Sequence, residues 1–142
     1  MENQREAIRN QLARFARILD SRRWDSVGEV FADEVRFHYG DGREQAGIDA
    51  MREQFRAFLD GCGPSQHLLG SIMIEPDGDG WLSRAYVQAR HQGRGERSDR
   101  IFDTHGDYVD RWRRIDGAWK IVRRDVAWSM HIGDPTVLGP GD

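Results

Sequence analysis

His67 stands at the head of "HLLGSIMIE", where an apolar or threonine side chain would suit a strand better. Side chains alternate along a strand, so His67 shares a face with Leu69, Ser71 and Met73, and Leu68, Gly70, Ile72 and Ile74 take the other. Both faces read as covered, which puts the imidazole in a partly buried setting. A histidine so placed is either tied to a backbone carbonyl or a general base working near neutral pH. Asp20 is the second group of interest. It closes a helical run, although an acid is unfavourable at a helix C-terminus, where the macrodipole is negative. A histidine partner would justify it: a carboxylate accepting from an imidazole N–H fixes the tautomer and raises the basicity of the other nitrogen.

Three more side chains can reach the same place. Tyr39 shares a strand face with Phe37, with His38 opposite, so it points inward. His91 closes "AYVQARHQ" in a row with Ala85, Val87 and Ala89, small residues that suit a strand lining a cavity. Arg124 lies between Val122 and Val126, and an arginine so flanked is either paired or faces a ligand. His105 precedes a glycine near an expected bend, and His131 lies in an irregular tail; neither has an assigned role. No grouping has the spacing of a metal motif and no glycine-rich nucleotide loop follows a strand, so no metal or cofactor is expected.

The elements that must position these groups follow from periodicity. Residues 3–19 place Ala7, Ile8, Leu12, Phe15, Ala16 and Leu19 on one helical stripe, and 24–31 begins a shorter helix. Residues 34–42 read as a strand ending in a Gly-Asp-Gly turn, and 47–61 as a third helix. Four long strands fill the chain after residue 65, with hairpin signals at "PDGDG" and "IDG". Three helices with one interposed strand, followed by four long strands, give an α+β fold with the helices gathered on one face of the sheet, and a strongly curved sheet so covered leaves a conical cavity. Residues 1–142 form one domain, and the Gly/Pro-rich stretch 130–142 is a tail.

Composition narrows the function. The 142 residues are 38% hydrophobic and 32% charged with a net charge of −3, a globular balance without a basic patch for nucleic acid. Cys62 is the only cysteine, the N-terminus lacks a signal-like apolar core, and no apolar run reaches membrane-spanning length. A soluble, cytoplasmic protein is expected.

These motifs together resemble the SnoaL-like enzymes of the nuclear transport factor 2-like superfamily, most closely the scytalone dehydratase-like branch. The likeness runs from about residue 5 to residue 128. It rests on "LDSRRWDSV" with Asp20, "VRFHYGDG" with Tyr39, "SQHLLG" with His67, "VQARHQ" with His91 and the final hairpin "RWRRIDGAWKI". The resemblance implies a cone-shaped α+β barrel, three N-terminal helices packed on a strongly curved mixed sheet. It also implies a cofactor-independent lyase, a dehydratase before an isomerase or polyketide cyclase, acting on a small hydrophobic cyclic substrate in secondary metabolism. In that reading Asp20 orients His67 as base, Tyr39 and His91 hold a substrate oxygen or a water, and Arg124 stabilises the leaving group. Phe15, Leu69, Met73, Val87, Ala89, Val109 and Trp128 would form the apolar wall. Two positions depart from the scytalone enzyme: Val109 replaces a pocket asparagine and Leu19 replaces a tyrosine. A non-catalytic binding module and a dioxygenase small subunit share the implied fold and remain alternatives. The resemblance also implies a homo-oligomer, a trimer before a dimer, and a tail (131–138) acting as a lid.

Overall fold

The computed structural model describes residues 3–139. Helix α1 (Gln4–Ser21) starts at Asn3, whose side chain accepts from the amides of Arg5 and Glu6. Its stripe of Ile8, Leu12, Phe15 and Leu19 is almost fully buried against the sheet. Leu12→Ala would cost about 2–5 kcal/mol, because the packed neighbours cannot fully close the void. The helix ends at Arg22, which adopts the left-handed conformation (φ 57°) and turns the chain back. A 3-10 turn (Trp24–Glu29) stands where a second helix was expected, and strand β1 (Phe31–His38) begins three residues early. A short β2 (Glu44–Ala46), not foreseen, folds back on β1 and leads into α2 (Ile48–Leu59).

The long strands are β3 (Ser65–Asp77), β4 (Gly80–Gln92), β5 (Ile101–Ile115) and β6 (Ala118–Gly133). The six strands lie in the order β2-β1-β6-β5-β4-β3, with β1 parallel to β6 and every other pair antiparallel. The sheet curls around α1 and α2, so the expected α+β cone is present. The site draws on opposite sides of the sheet: Tyr39 follows β1, which neighbours the edge strand β2, and His67 lies in the other edge strand, β3.

Irregularities shift the faces that alternation alone would assign. Between Gly70 and Met73 the β3–β4 register slips, with Ser71 at φ 47°. Ile72 and Ile74 therefore continue the partly buried face of His67 and Leu69, and Met73 turns out to solvent. The other face of β3 is open in the single chain, with Leu68 exposed. In β6 a slip at Val122 puts Arg124, Val126 and Trp128 inside, and another lies beside Ser129. β6 runs on to Gly133, and Pro135–Val137 form a 3-10 turn, so the tail does extend the sheet. The end of the expected tail, residues 140–142, lies outside the described residues. Among the described residues no helix is long and apolar enough to cross a membrane.

Candidate active site

His67 and Asp20 meet at the junction of α1 and β3. The His67 Nδ1 lies 2.7 Å from Asp20 Oδ1, while Asp20 Oδ2 accepts the His67 backbone N–H at 2.9 Å. Burial works against the Asp20 charge, but the hydrogen bonds and attraction from His67 outweigh it and hold the carboxyl below its ordinary value. The ionised carboxylate can only accept, so Nδ1 carries a proton, and in the neutral ring the Nε2 lone pair is free. Ser65 Oγ donates to Asp20 Oδ1 at 2.8 Å, and Arg22 Nη1 donates to Ser65 at 2.8 Å. Arg22 is itself anchored on the carbonyls of Leu19, Leu59 and Gly63, so the end of α1 becomes a rigid support for the carboxylate. Neither Ser65 nor Arg22 was legible as a site residue, since nothing in their spacing marks them.

His67 opens onto a cavity of about 630 Å³ between the sheet, α2 and the tail. A larger groove of about 770 Å³ lies outside, between the start of α1 and the β5–β6 turn, and contains none of the dyad. The His91 ring stands 5.5 Å from that of His67, edge to face, and also lines the cavity. Its Nδ1 donates to the Phe102 carbonyl at 2.9 Å, leaving Nε2 as an acceptor. Burial pushes the His91 pKa down to about 4, so the ring is neutral at physiological pH. An imidazole in this state holds a hydroxyl or water by accepting its proton; it does not polarise a carbonyl.

On the far wall the Tyr39 and Tyr108 rings lie 6.2 Å apart between centroids, and Arg124 Nη1 donates to Tyr39 Oη at 3.2 Å. Burial keeps both phenols protonated by raising their pKa values. Both tyrosines line the cavity, where a phenol O–H can donate to a ligand. Trp128 fixes this corner by donating Nε1 to the Tyr39 carbonyl at 2.9 Å. Gly40 is required there: at φ +80°, a Cβ would sit 2.6 Å from the Trp128 ring.

Several expected site residues do not face the cavity. Arg124 is fully buried behind Tyr39, with Nε and Nη2 donating to Asp110 at 2.7 and 2.8 Å and its guanidinium 4.0 Å from the Tyr108 ring centroid. Direct contact with a leaving group is therefore closed to it. Asp110 raises the Arg124 pKa, and the pair is a fixed ion pair despite the burial that opposes the Asp110 charge. Val109 points outward because the inward positions of β5 are Phe102, Thr104, Gly106, Tyr108 and Asp110. Met73 faces solvent beyond the Ser71 irregularity, and Leu69 lines an outer groove against α1. Phe15, Val87 and Ala89 are packed into the core beneath the site. Of the expected wall only Trp128 lines the cavity, joined by Phe55, Phe58, Phe102 and Leu138. His131 also reaches the cavity from the end of β6, stacked on Phe102 at 5.5 Å, whereas His105 alternates outward. Among the described residues no cluster of three His, Cys, Asp or Glu side chains could hold a metal ion.

A helix-covered conical sheet enclosing a small apolar cavity with a carboxylate–imidazole pair defines a class of small-molecule proteins with the nuclear transport factor 2-like fold. The chain belongs to the SnoaL-like domain family, whose profile matches residues 3–125. The uncharacterised protein Rv2910c of Mycobacterium tuberculosis is 29% identical over 121 residues, covering 82% of this chain and 80% of that protein. A Novosphingobium aromaticivorans structure provisionally assigned as an aromatic ring hydroxylase superposes with a TM-score of 0.82 at 26% identity, covering 94% and 95% of the two chains. Hexachlorocyclohexane dehydrochlorinase LinA-type3 from Novosphingobium barchaimii shares the fold, with a TM-score of 0.78 at 13% identity over 92% and 89%.

Proposed function

We propose that the protein is a cofactor-independent lyase of the dehydratase type, acting on a small hydrophobic cyclic ketone. The observation that carries this reading is the 2.7 Å Asp20–His67 bond, which leaves His67 Nε2 as a base in an apolar cavity. His67 removes the proton beside the carbonyl, and the enolate oxygen develops beside the phenol O–H groups of Tyr39 and Tyr108, which line the cavity. Arg124 supplies a fixed positive charge behind that oxygen. His91 Nε2 holds the substrate hydroxyl next to His67, whose new Nε2–H protonates it as the C–O bond breaks, so water leaves and the base is restored. Structural likeness to a dehydrochlorinase supports an elimination.

The neutral state of His91 also favours a second reading. With no separate acid beside the leaving group, the same base and donor serve an isomerisation, in which His67 returns its proton to another carbon. The test is deuterium exchange at C2 of 1-tetralone, followed by turnover of 3-hydroxy-1-tetralone. Loss of one water to give 1-naphthol supports the lyase, while exchange without water loss favours the isomerase. No exchange at all overturns the base.

Self-association is also proposed. Leu68, Met73, Tyr86, Met130 and Ile132 are exposed in the single chain. Light scattering is expected to give a mass of two or three 16.4 kDa chains; a monomer at micromolar concentration refutes this.

A further inference from the structure

Gln54 is the only polar residue on the buried face of α2, between Met51 and Phe55. It is 8% exposed and lines the cavity. Its Oε1 accepts from Gln45 Nε2 at 2.8 Å, which fixes the orientation of the amide. Its own Nε2 makes no hydrogen bond to a described residue. No fully enclosed side-chain nitrogen or oxygen lacks a partner among the described residues, so this nitrogen must be reachable from the cavity it lines. Two N–H donors held in an apolar chamber and left unsatisfied favour any ligand that brings an acceptor to them. Gln45 is held by β2, where it pairs with Phe37 of β1, two residues before Tyr39.

We infer that Gln54 is a specificity-determining donor, and that the substrate carries a second acceptor oxygen on its ring system besides the carbonyl bound at Tyr39. This rests on the proposed ketone chemistry but makes a separate claim, since the dyad needs only one oxygen. A ligand without the second oxygen leaves the Gln54 amide unpaired and binds more weakly. The Gln45 clamp selects an acceptor such as an ether, ester or carbonyl oxygen, because the amide presents its nitrogen and not its oxygen.

The probes are 1-tetralones bearing methoxy at ring positions 5, 6 or 7, each compared with its ethyl counterpart by calorimetric titration. One methoxy isomer is expected to bind about three- to tenfold tighter than its ethyl partner, the range of a single net hydrogen bond. Gln54→Leu is expected to bring that ratio to about one, and Gln45→Leu, which leaves the cavity wall in place, to lower it. Matching amide spectra by NMR establish that the variants are folded. Equal affinities for methoxy and ethyl compounds in the wild type, or a ratio unchanged in folded Gln54→Leu, overturn the inference. Deuterium exchange of 1-tetralone by the same wild-type sample reports separately on the base. A collapsed ratio without exchange retains the second-oxygen site and removes the dyad mechanism, and exchange with no ratio does the reverse.

Discussion

Asp20–His67 and Asp110–Arg124 each have a closest contact of 2.7 Å, yet their settings differ. Asp110 and Arg124 are wholly inaccessible, and their charges are matched by two parallel hydrogen bonds and flanking aromatic rings. Asp20 keeps 21% of its side chain exposed, and His67 has one ring nitrogen facing a cavity. A guanidinium does not give up its proton, so the sealed pair is a permanent dipole. An imidazole can take up a proton and release it again. The same kind of contact therefore does two jobs: one pair sets the field, and the other moves the proton.

The largest expected effect separates these jobs on the reactive side. Asp20→Asn should lower exchange of 1-tetralone by about 10²–10⁴-fold, because an amide can donate to Nδ1 and turn the imidazole into the wrong tautomer. His67→Ala should lose at least as much, and both variants should remain folded. Wild-type exchange in both would end the assignment of the base. Arg124→Met acts on the other pair. It leaves Asp110 buried and unpaired, with an expected loss of about 3–5 kcal/mol in urea unfolding. A variant as stable as the wild type would mean that the pair is not sealed.

His91 gives the comparison a pH axis. Its pKa falls from 6.5 in the unfolded chain to about 4 in the fold. The unfolded chain therefore binds a proton that the folded one refuses anywhere between those values. Stability from this source is complete above pH 6.5 and is lost as the pH falls towards 4, about 3 kcal/mol in all. Asp20, also depressed, loses its contribution only below the ordinary carboxylate range. His91→Asn should flatten the dependence of the urea midpoint between pH 6.5 and 4; an unchanged slope would assign it to other groups.

The reactive pair was legible in the sequence because its parts break local rules: a histidine heading an apolar strand and an acid at a helix C-terminus. The sealed pair was not. Counting back from the Asp116–Gly117 turn pairs Asp110 with Arg123, and only the slip at Val122 brings Arg124 opposite. A bulge leaves little trace in residue types, so Arg124 read as either paired or facing a ligand, and it was the family resemblance that put Val109 at the pocket and Arg124 at the leaving group. The alternation Phe102, Thr104, Tyr108, Asp110 was a usable signal for the inner face of β5. The same loss of register at Ser71 misplaced Met73. Gln54 was hidden by the opposite cause: its helix is so plainly amphipathic that one polar residue on the buried stripe passed as an irregularity.

The smallest effect tests how the reactive side is closed. The tail lies across the cavity, with Pro135, Leu138 and Gly139 in its lining and the Gly139 amide donating to the Phe58 carbonyl at 3.0 Å. Asp134 organises it: the carboxylate accepts from the Thr136 amide and hydroxyl and pairs with Arg100 at 3.1 Å. These contacts are solvent-exposed, so each contributes little to global stability and the latch can open without unfolding the sheet. We propose that this segment opens for substrate entry and closes to exclude water during proton transfer. Asp134→Ala removes the cap and the ion pair but no cavity-lining atom. It should speed 1-tetralone release several-fold, seen as faster exchange in ligand NMR line shapes, with the urea midpoint nearly unchanged. Faster release with intact stability identifies the tail as the gate. Unchanged release would leave the tail as a fixed wall of the cavity.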